Sequence, residues 1–126
     1  MAIDFAEAWI AIGAEEFAAT VDFYCALFGR EPDSRIREVY VEFRLPRLRL
    51  GIFQPRQGHE AEFRNSPGKS SGLNLVLRVK DLDLALSQWT HLGAPPPDKI
   101  IPITGGREAY VYDPSGNRIL LVEMNP

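Results

Sequence analysis

The stretch Ala109-Tyr110-Val111-Tyr112-Asp113-Pro114-Ser115-Gly116-Asn117-Arg118-Ile119-Leu120-Leu121-Val122 reads as two strands joined by a tight turn. Asp, Pro and Gly stand at the first, second and fourth positions of Asp113–Gly116, the preferences of a type I turn. An Asp side chain accepts from the backbone beyond it, and Pro supplies the φ that the second position needs. The flanks are rich in β-branched and aromatic residues, so 109–112 and 117–122 are predicted strands. Alternation puts Ala109 and Val111 on one face of the first strand and Glu108, Tyr110 and Tyr112 on the other.

Upstream of this hairpin, Leu82, Ala85, Leu86, Trp89 and Leu92 form an amphipathic stripe at helical spacing. Asp81 suits its N-cap, Gly93 its end, and Pro95-Pro96-Pro97 forbids continuation. Strand-type runs lie on either side, at 73–79 before the helix and 99–103 after it. The first half of the chain repeats the order. A strand at 9–12 precedes a helix whose stripe is Phe17, Val21, Tyr24 and Phe28, with Glu15 and Glu16 in the opening turn and Gly29 behind it. Strands at 39–43 and 48–53 then flank Leu45-Pro46-Arg47. Matching Glu16 to Asp81 brings Trp9 onto Asn74, an offset of 65 residues. The chain therefore reads as one domain over residues 1–126, with a first module at about 8–54, a connecting loop at 55–71 and a second module at about 72–124. The loop carries Gly58, Pro67, Gly68 and Lys69-Ser70-Ser71, and loops this long in a compact domain are usually lids or linkers.

Composition narrows the classes. At 126 residues, with 45% apolar and 25% charged, the chain has the proportions of a single globular domain. One cysteine, Cys25, excludes an internal disulfide framework and points to a reducing compartment. Seventeen acidic against fourteen basic residues, with no two Lys or Arg adjacent, argue against a nucleic-acid footprint. No apolar run approaches the twenty or so residues of a membrane span. The acids of Met1-Ala2-Ile3-Asp4-Phe5-Ala6-Glu7 stand where a signal peptide would carry cations, so a cytoplasmic location is expected.

With its repeated halves, the chain resembles the vicinal oxygen chelate superfamily, which includes glyoxalases, extradiol dioxygenases, thiol transferases that inactivate fosfomycin, and bleomycin resistance proteins. The residues that carry the likeness are Val21-Asp22-Phe23-Tyr24-Cys25-Ala26-Leu27-Phe28-Gly29, Val79-Lys80-Asp81-Leu82-Asp83-Leu84-Ala85 and Asp113-Pro114-Ser115-Gly116-Asn117-Arg118-Ile119. The resemblance spans about Trp9 to Glu123. It implies an α+β fold of two tandem βαβββ modules, whose U-shaped sheets enclose a cavity, and commonly a homodimer.

The resemblance also implies where metal-dependent relatives hold a divalent ion: at the start of the strand before each helix and in a late strand of each module. The corresponding residues here are Trp9, Leu50, Asn74 and Leu120, and only Asn74 offers even a weak oxygen donor. No metal site or cofactor is expected. Glu123, three residues beyond Leu120, falls on the opposite face by alternation. His59, in the loop, and His91, at the end of the second helix, have no reason to converge, and Cys25 lacks a neighbouring base. No catalytic residue is assigned.

Alternation instead gives a wall of mixed aromatic, apolar and charged character. Trp9, Tyr40, Glu42, Asn74, Arg78, Glu108, Tyr110, Tyr112 and Leu120 are the candidate ligand-binding residues, although for Tyr40, Glu42 and Arg44 the face remains open. The reading is a metal-free small-molecule-binding protein, closest in character to the bleomycin resistance group, that sequesters an aromatic or cationic compound by stacking and by Glu42 or Glu108. The alternatives are a lyase- or dioxygenase-type enzyme with relocated metal ligands, a vestigial regulatory module, and a cavity filled as core by Trp9 and the leucines.

Overall fold

A computed structural model describes residues 2–64 and 72–126. In the first half, β1 (Ile10–Gly13) leads into α1 (Phe17–Phe28), followed by β2 (Ser34–Ile36), β3 (Tyr40–Leu45) and β4 (Leu48–Phe53). In the second, β5 (Leu75–Arg78) leads into α2 (Leu82–Trp89), followed by β6 (Ile101–Ile103), β7 (Gly106–Tyr112) and β8 (Arg118–Met124). The two sheets have the same order, β1-β4-β3-β2 and β5-β8-β7-β6. In each, the strand before the helix runs parallel to the last strand and the other pairs are antiparallel. This is an α+β fold of two tandem βαβββ units, with both sheets open.

The local signals explain most of these elements. Gly29 takes the left-handed conformation, φ 66°, that ends α1, and its N–H donates to the Cys25 carbonyl. The Asp81 carboxylate accepts from the Leu84 N–H at 3.0 Å, the cap its position requires. α2 stops at Trp89, short of the expected Leu92. Its last turn tightens into bonds from His91 N–H to the Gln88 carbonyl and from Leu92 N–H to the Trp89 carbonyl. β2 has no counterpart among the expected strands, because three residues hold no periodicity and its pairing with β3 alone defines it.

Both helices cover the same side of the molecule. Val41, Phe43, Leu50 and Ile52 of the first sheet and Ala109, Val111, Ile119 and Leu121 of the second are all 0–1% exposed beneath them. Phe23 of α1 meets Trp89 of α2 edge to face at 5.1 Å, so the two halves share one core. Apolar side chains come to this face by the strand period of two, and their burial supplies the main driving force for folding.

A polar joint ties the halves together. Asp113 Oδ1 accepts from the N–H groups of Ser115 and Asn117 at 2.8 and 2.9 Å, closing the turn. Its Oδ2 accepts from the Tyr24 hydroxyl of α1 at 2.8 Å and from Asn117 Nδ2 at 2.9 Å. Asn117 Nδ2 also donates to the Gly13 carbonyl, while Ser115 Oγ bonds the Thr20 hydroxyl and accepts from the Glu16 N–H. Burial lifts the Asp113 carboxyl above its ordinary range, against the opposing pull of these hydrogen bonds. The motif that reads locally as a turn is thus also the contact by which the second half grips the first. Among the described residues, no helix is long and apolar enough to cross a membrane.

Candidate functional site

Strand register fixes which side chains share the faces that the helices leave open. In the second sheet Val76, Leu120 and Tyr110 stand abreast, as do Arg78, Val122 and Glu108. In the first, Ala11, Gly51 and Glu42 stand abreast, and Tyr40, Glu42 and Arg44 lie opposite the buried Val41 and Phe43. Leu50 needs correction. It pairs with Ile10 and is 1% exposed in the core. The pairing of Leu75 with Ile119 makes Leu50 the counterpart of Ile119, so Gly51 corresponds to Leu120. One residue of register moves a side chain to the other face of a sheet.

With that register, the four positions at which the resemblance implies metal ligands in metal-dependent relatives become Trp9, Gly51, Asn74 and Leu120. Beside them the repeat places two arginines at equivalent points. Arg49 lies over the Trp9 ring, its guanidinium carbon 4.3 Å from the centroid. Arg118 donates from Nε to Asn74 Oδ1 at 2.7 Å. An indole, a glycine, an amide already used as an acceptor and a leucine, next to two guanidinium groups, do not fit a divalent cation. Among the described residues, no three or more His, Cys, Asp or Glu side chains gather to hold a metal ion. Glu123 lies across from these positions, accepting from the Leu82 N–H at the start of α2 and from Arg107.

Trp9, Tyr40 and Glu42 meet on the open face of the first sheet. Glu42, only 7% exposed, accepts from the Tyr40 hydroxyl at 2.9 Å and pairs with Arg44 at 3.4 Å and Arg49 at 3.5 Å. Burial and the neighbouring Glu42 charge push the Tyr40 phenol above its usual range. Tyr40 lies across Gly51, where a Cβ would fall on the phenol oxygen and ring. Glu42 is thus a counter-charge for two arginines of its own chain. Trp9 remains 48% exposed and does not fill the space as core.

On the second sheet, Arg118 lies over Tyr110, its guanidinium carbon 4.7 Å from the centroid. Glu108, Tyr110 and Leu120 are half-buried and Arg78 is exposed. Tyr112 departs from its expected place on an open wall: it is 2% exposed, and its hydroxyl donates to Asp98 at 2.8 Å. The segment leading to β6 covers this end of β7, and the Asp98 N–H bonds the Tyr110 carbonyl.

Between β1 and β5, the facing edges of the two sheets, runs a cleft of about 680 Å³. Ile12, Leu50, Leu75 and Val76 supply apolar wall, and Asn74 and Arg118 supply polar groups. The loop after β4 bounds the cleft with Glu62 and Phe63. The Phe63 ring meets Phe53 edge to face at 4.9 Å, and a Cβ at Gly13 would lie 2.6 Å from Phe63 Cβ, so this close approach requires glycine. Arg64 clamps the loop to Glu15 with two bonds, at 2.8 and 2.9 Å. Lys69-Ser70-Ser71, read as loop, lies outside the described residues.

Of the nine candidate residues only Asn74 lines this cleft; the others lie on the flanking open faces or, for Tyr112, beneath the surface. Arg118 was missed, yet the alternation that selects Leu120 and Val122 selects it too. Phe63 had no signal, because only loop docking brings it to β1. Of the remaining reactive side chains, His59 bonds the cleft-bordering Glu62 at 2.5 Å on the loop surface, and His91 is exposed. The Cys25 thiol donates to Glu31 at 3.4 Å, and burial together with that carboxylate pushes it up to about 11, which suppresses the thiolate.

A family model described as "Glyoxalase-like domain" matches residues 9–122. Among solved structures of similar fold is a glyoxalase/bleomycin resistance protein from Catenulispora acidiphila DSM 44928, 24% identical, with 93% of this chain and 96% of that one covered and a TM-score of 0.65. A lactoylglutathione lyase from Agrobacterium tumefaciens is 20% identical over 94% of this chain and 93% of its own, with a TM-score of 0.61. A bleomycin-binding protein complexed with bleomycin is 20% identical over 94% and 98%, with a TM-score of 0.62. Among curated proteins none matches significantly.

Proposed function

The chain belongs to the glyoxalase-like domain family, and from that premise we propose that it binds a small, largely apolar molecule in the cleft between its two modules, without metal-dependent chemistry. One observation carries this reading: the four superfamily ligand positions hold Trp9, Gly51, Asn74 and Leu120 beside two arginines, while a cleft of about 680 Å³ remains between the sheets. That volume falls within the range of small-molecule sites, and its mainly apolar wall with a few polar groups suits one. The neighbour solved with bleomycin supports binding as a use to which this fold is put.

The functional unit in this reading is a cytoplasmic homodimer, with 8–54 and 72–124 as modules and 55–71 as connection. Ile36 at 60% and Ile101 at 38% exposure, on the edge strands β2 and β6, leave apolar surface for a second copy to cover. A thermal-shift screen of aromatic metabolites and drugs, followed by calorimetric titration, tests the binding: at least one compound should raise the melting temperature and saturate at one site per chain. Stoichiometric zinc, nickel, iron or manganese in protein purified without chelator would overturn the metal-free reading. Light scattering at about 14.2 kDa at every concentration would overturn the dimer.

A further inference from the structure

Part of the cleft wall is a loop whose own hydrogen bonds close within it. We infer that residues 57–64 form a movable wall, seated by Phe63 against Gly13 and latched by the Arg64–Glu15 ion pair, so that the latch governs how fast a ligand enters and leaves; this rests on the cleft being the binding site proposed above.

The loop coheres as a unit. Gly58 N–H donates to the Glu60 carboxylate at 2.9 Å, His59 N–H to the Arg56 carbonyl at 2.9 Å and Glu62 N–H to the His59 carbonyl at 3.1 Å, while the His59 ring bonds Glu62. Its one helical turn, Glu60–Phe63, buries none of its residues. Lifting such a segment breaks few bonds and exposes little new apolar surface, as in the low-stability loops through which ligands exchange. Because Glu62 and Phe63 border the cleft, lifting the loop opens that side of it.

Two contacts return the loop to one closed position. Phe63 is the seat: its ring meets Phe53 at 4.9 Å, and it approaches Gly13 so closely that a Cβ there would stand 2.6 Å from Phe63 Cβ and 2.9 Å from Cγ. A side chain at position 13 therefore displaces the ring. Arg64 is the latch: Nε and Nη2 donate to the two Glu15 oxygens at 2.8 and 2.9 Å, a fork that fixes orientation as well as distance. Glu15 itself is held to the body, since the N–H of the next residue, Glu16, donates to Ser115 Oγ. The Arg64 and Glu15 side chains are 56% and 36% exposed, so water and salt reach the latch. An exposed pair of this kind is worth a factor of about two to five in an equilibrium, which biases a loop toward closure without locking it.

The test follows binding and release of the neutral fluorescent dye 1-aminoanthracene by stopped flow. Glu15→Gln and Arg64→Gln, both surface changes, should each raise the association and dissociation rates about two- to fivefold, with a smaller change in Kd. Reversing the pair, Glu15→Arg with Arg64→Glu, should return the rates toward those of the wild type. Raising NaCl to 1 M should speed exchange in the wild type and leave the single variants unchanged, because salt screens an exposed pair. Gly13→Ala should speed exchange with the latch intact, by unseating Phe63. Without any ligand, the nuclear Overhauser contact between the Phe63 ring and Gly13 should weaken in Glu15→Gln. Equal exchange rates in the wild type and both single variants, or an undiminished contact in Glu15→Gln, would overturn the inference and leave the binding reading standing. Absence of dye binding in every form would overturn both.

Discussion

Replacing Asp113 with alanine tests whether the turn that joins β7 to β8 also holds the two halves together. Its carboxylate accepts four hydrogen bonds, from Ser115 N–H, Asn117 N–H, Asn117 Nδ2 and the Tyr24 hydroxyl. Tyr24 is 1% exposed, so truncation leaves a buried hydroxyl without its acceptor, a cost of about 1–3 kcal/mol. The lost turn bonds to a charged acceptor add to this, and relief from burying the carboxylate subtracts. The net loss should be about 3–5 kcal/mol, or roughly 10–20 °C in melting temperature for a domain of this size. Tyr24→Phe should cost only about 1–2 kcal/mol, because Asp113 keeps three donors. The double variant should be more stable than the sum of the singles predicts, by about 1 kcal/mol, since no orphan hydroxyl remains. Urea denaturation at constant m-value measures all three. A loss below about 1 kcal/mol for Asp113→Ala, or strict additivity in the cycle, would refute the joint as a stabilising element. The pH dependence has a definite sign. Burial raises the folded carboxyl above 3.8, so the folded state binds this proton more tightly than the unfolded chain. The residue's contribution to stability therefore falls as pH rises from 3.8 through the folded value and is level above it. The stability of the wild type relative to Asp113→Asn should change in that direction.

Glu123 should behave oppositely. Its carboxyl is held below the usual 4.5 by Arg107 first and the Leu82 N–H second, so its contribution is complete above 4.5 and lost as pH falls through the folded value; Glu123→Gln should flatten the acid limb of the stability profile. Asp81→Ala should cost about 1 kcal/mol by removing the α2 cap, read as a lowered urea midpoint, and an unchanged midpoint would refute the cap. With Trp9 48% and Trp89 2% exposed, acrylamide should quench emission from Trp89→Phe strongly and from Trp9→Phe weakly. Trp9→Ala should cost about 1–2 kcal/mol, against the 3–5 kcal/mol typical of a buried aromatic, and the larger loss would mean that Trp9 is core.

Elements set by neighbours in sequence were legible without the structure. The stripe from Phe17 to Phe28, the Asp81 cap, the Gly29 stop and the Asp113–Gly116 turn depend on hydrogen bonds and side chains only a few residues apart, so spacing alone revealed them and, through their order, a strand-helix-strands unit written twice; the βαβββ form was implied by the family resemblance. Alternation likewise sorted Ala109 and Val111 from Tyr110 and Glu108, because a strand's faces follow from its own period. What depended on approach between distant segments was decided only by the tertiary structure. The pairing of Ile10 with Leu50 sent Leu50 to the core and left Gly51 beneath Tyr40. Arg44 and Arg49 came to pair with Glu42, and the segment carrying Asp98 covered Tyr112. The cleft itself arises where the edges of two sheets and a docked loop meet, bringing Arg118, Asn74 and Phe63 together. Period and propensity describe one strand or one turn at a time. Register between strands, and the distance between sheets, are properties of the packed chain.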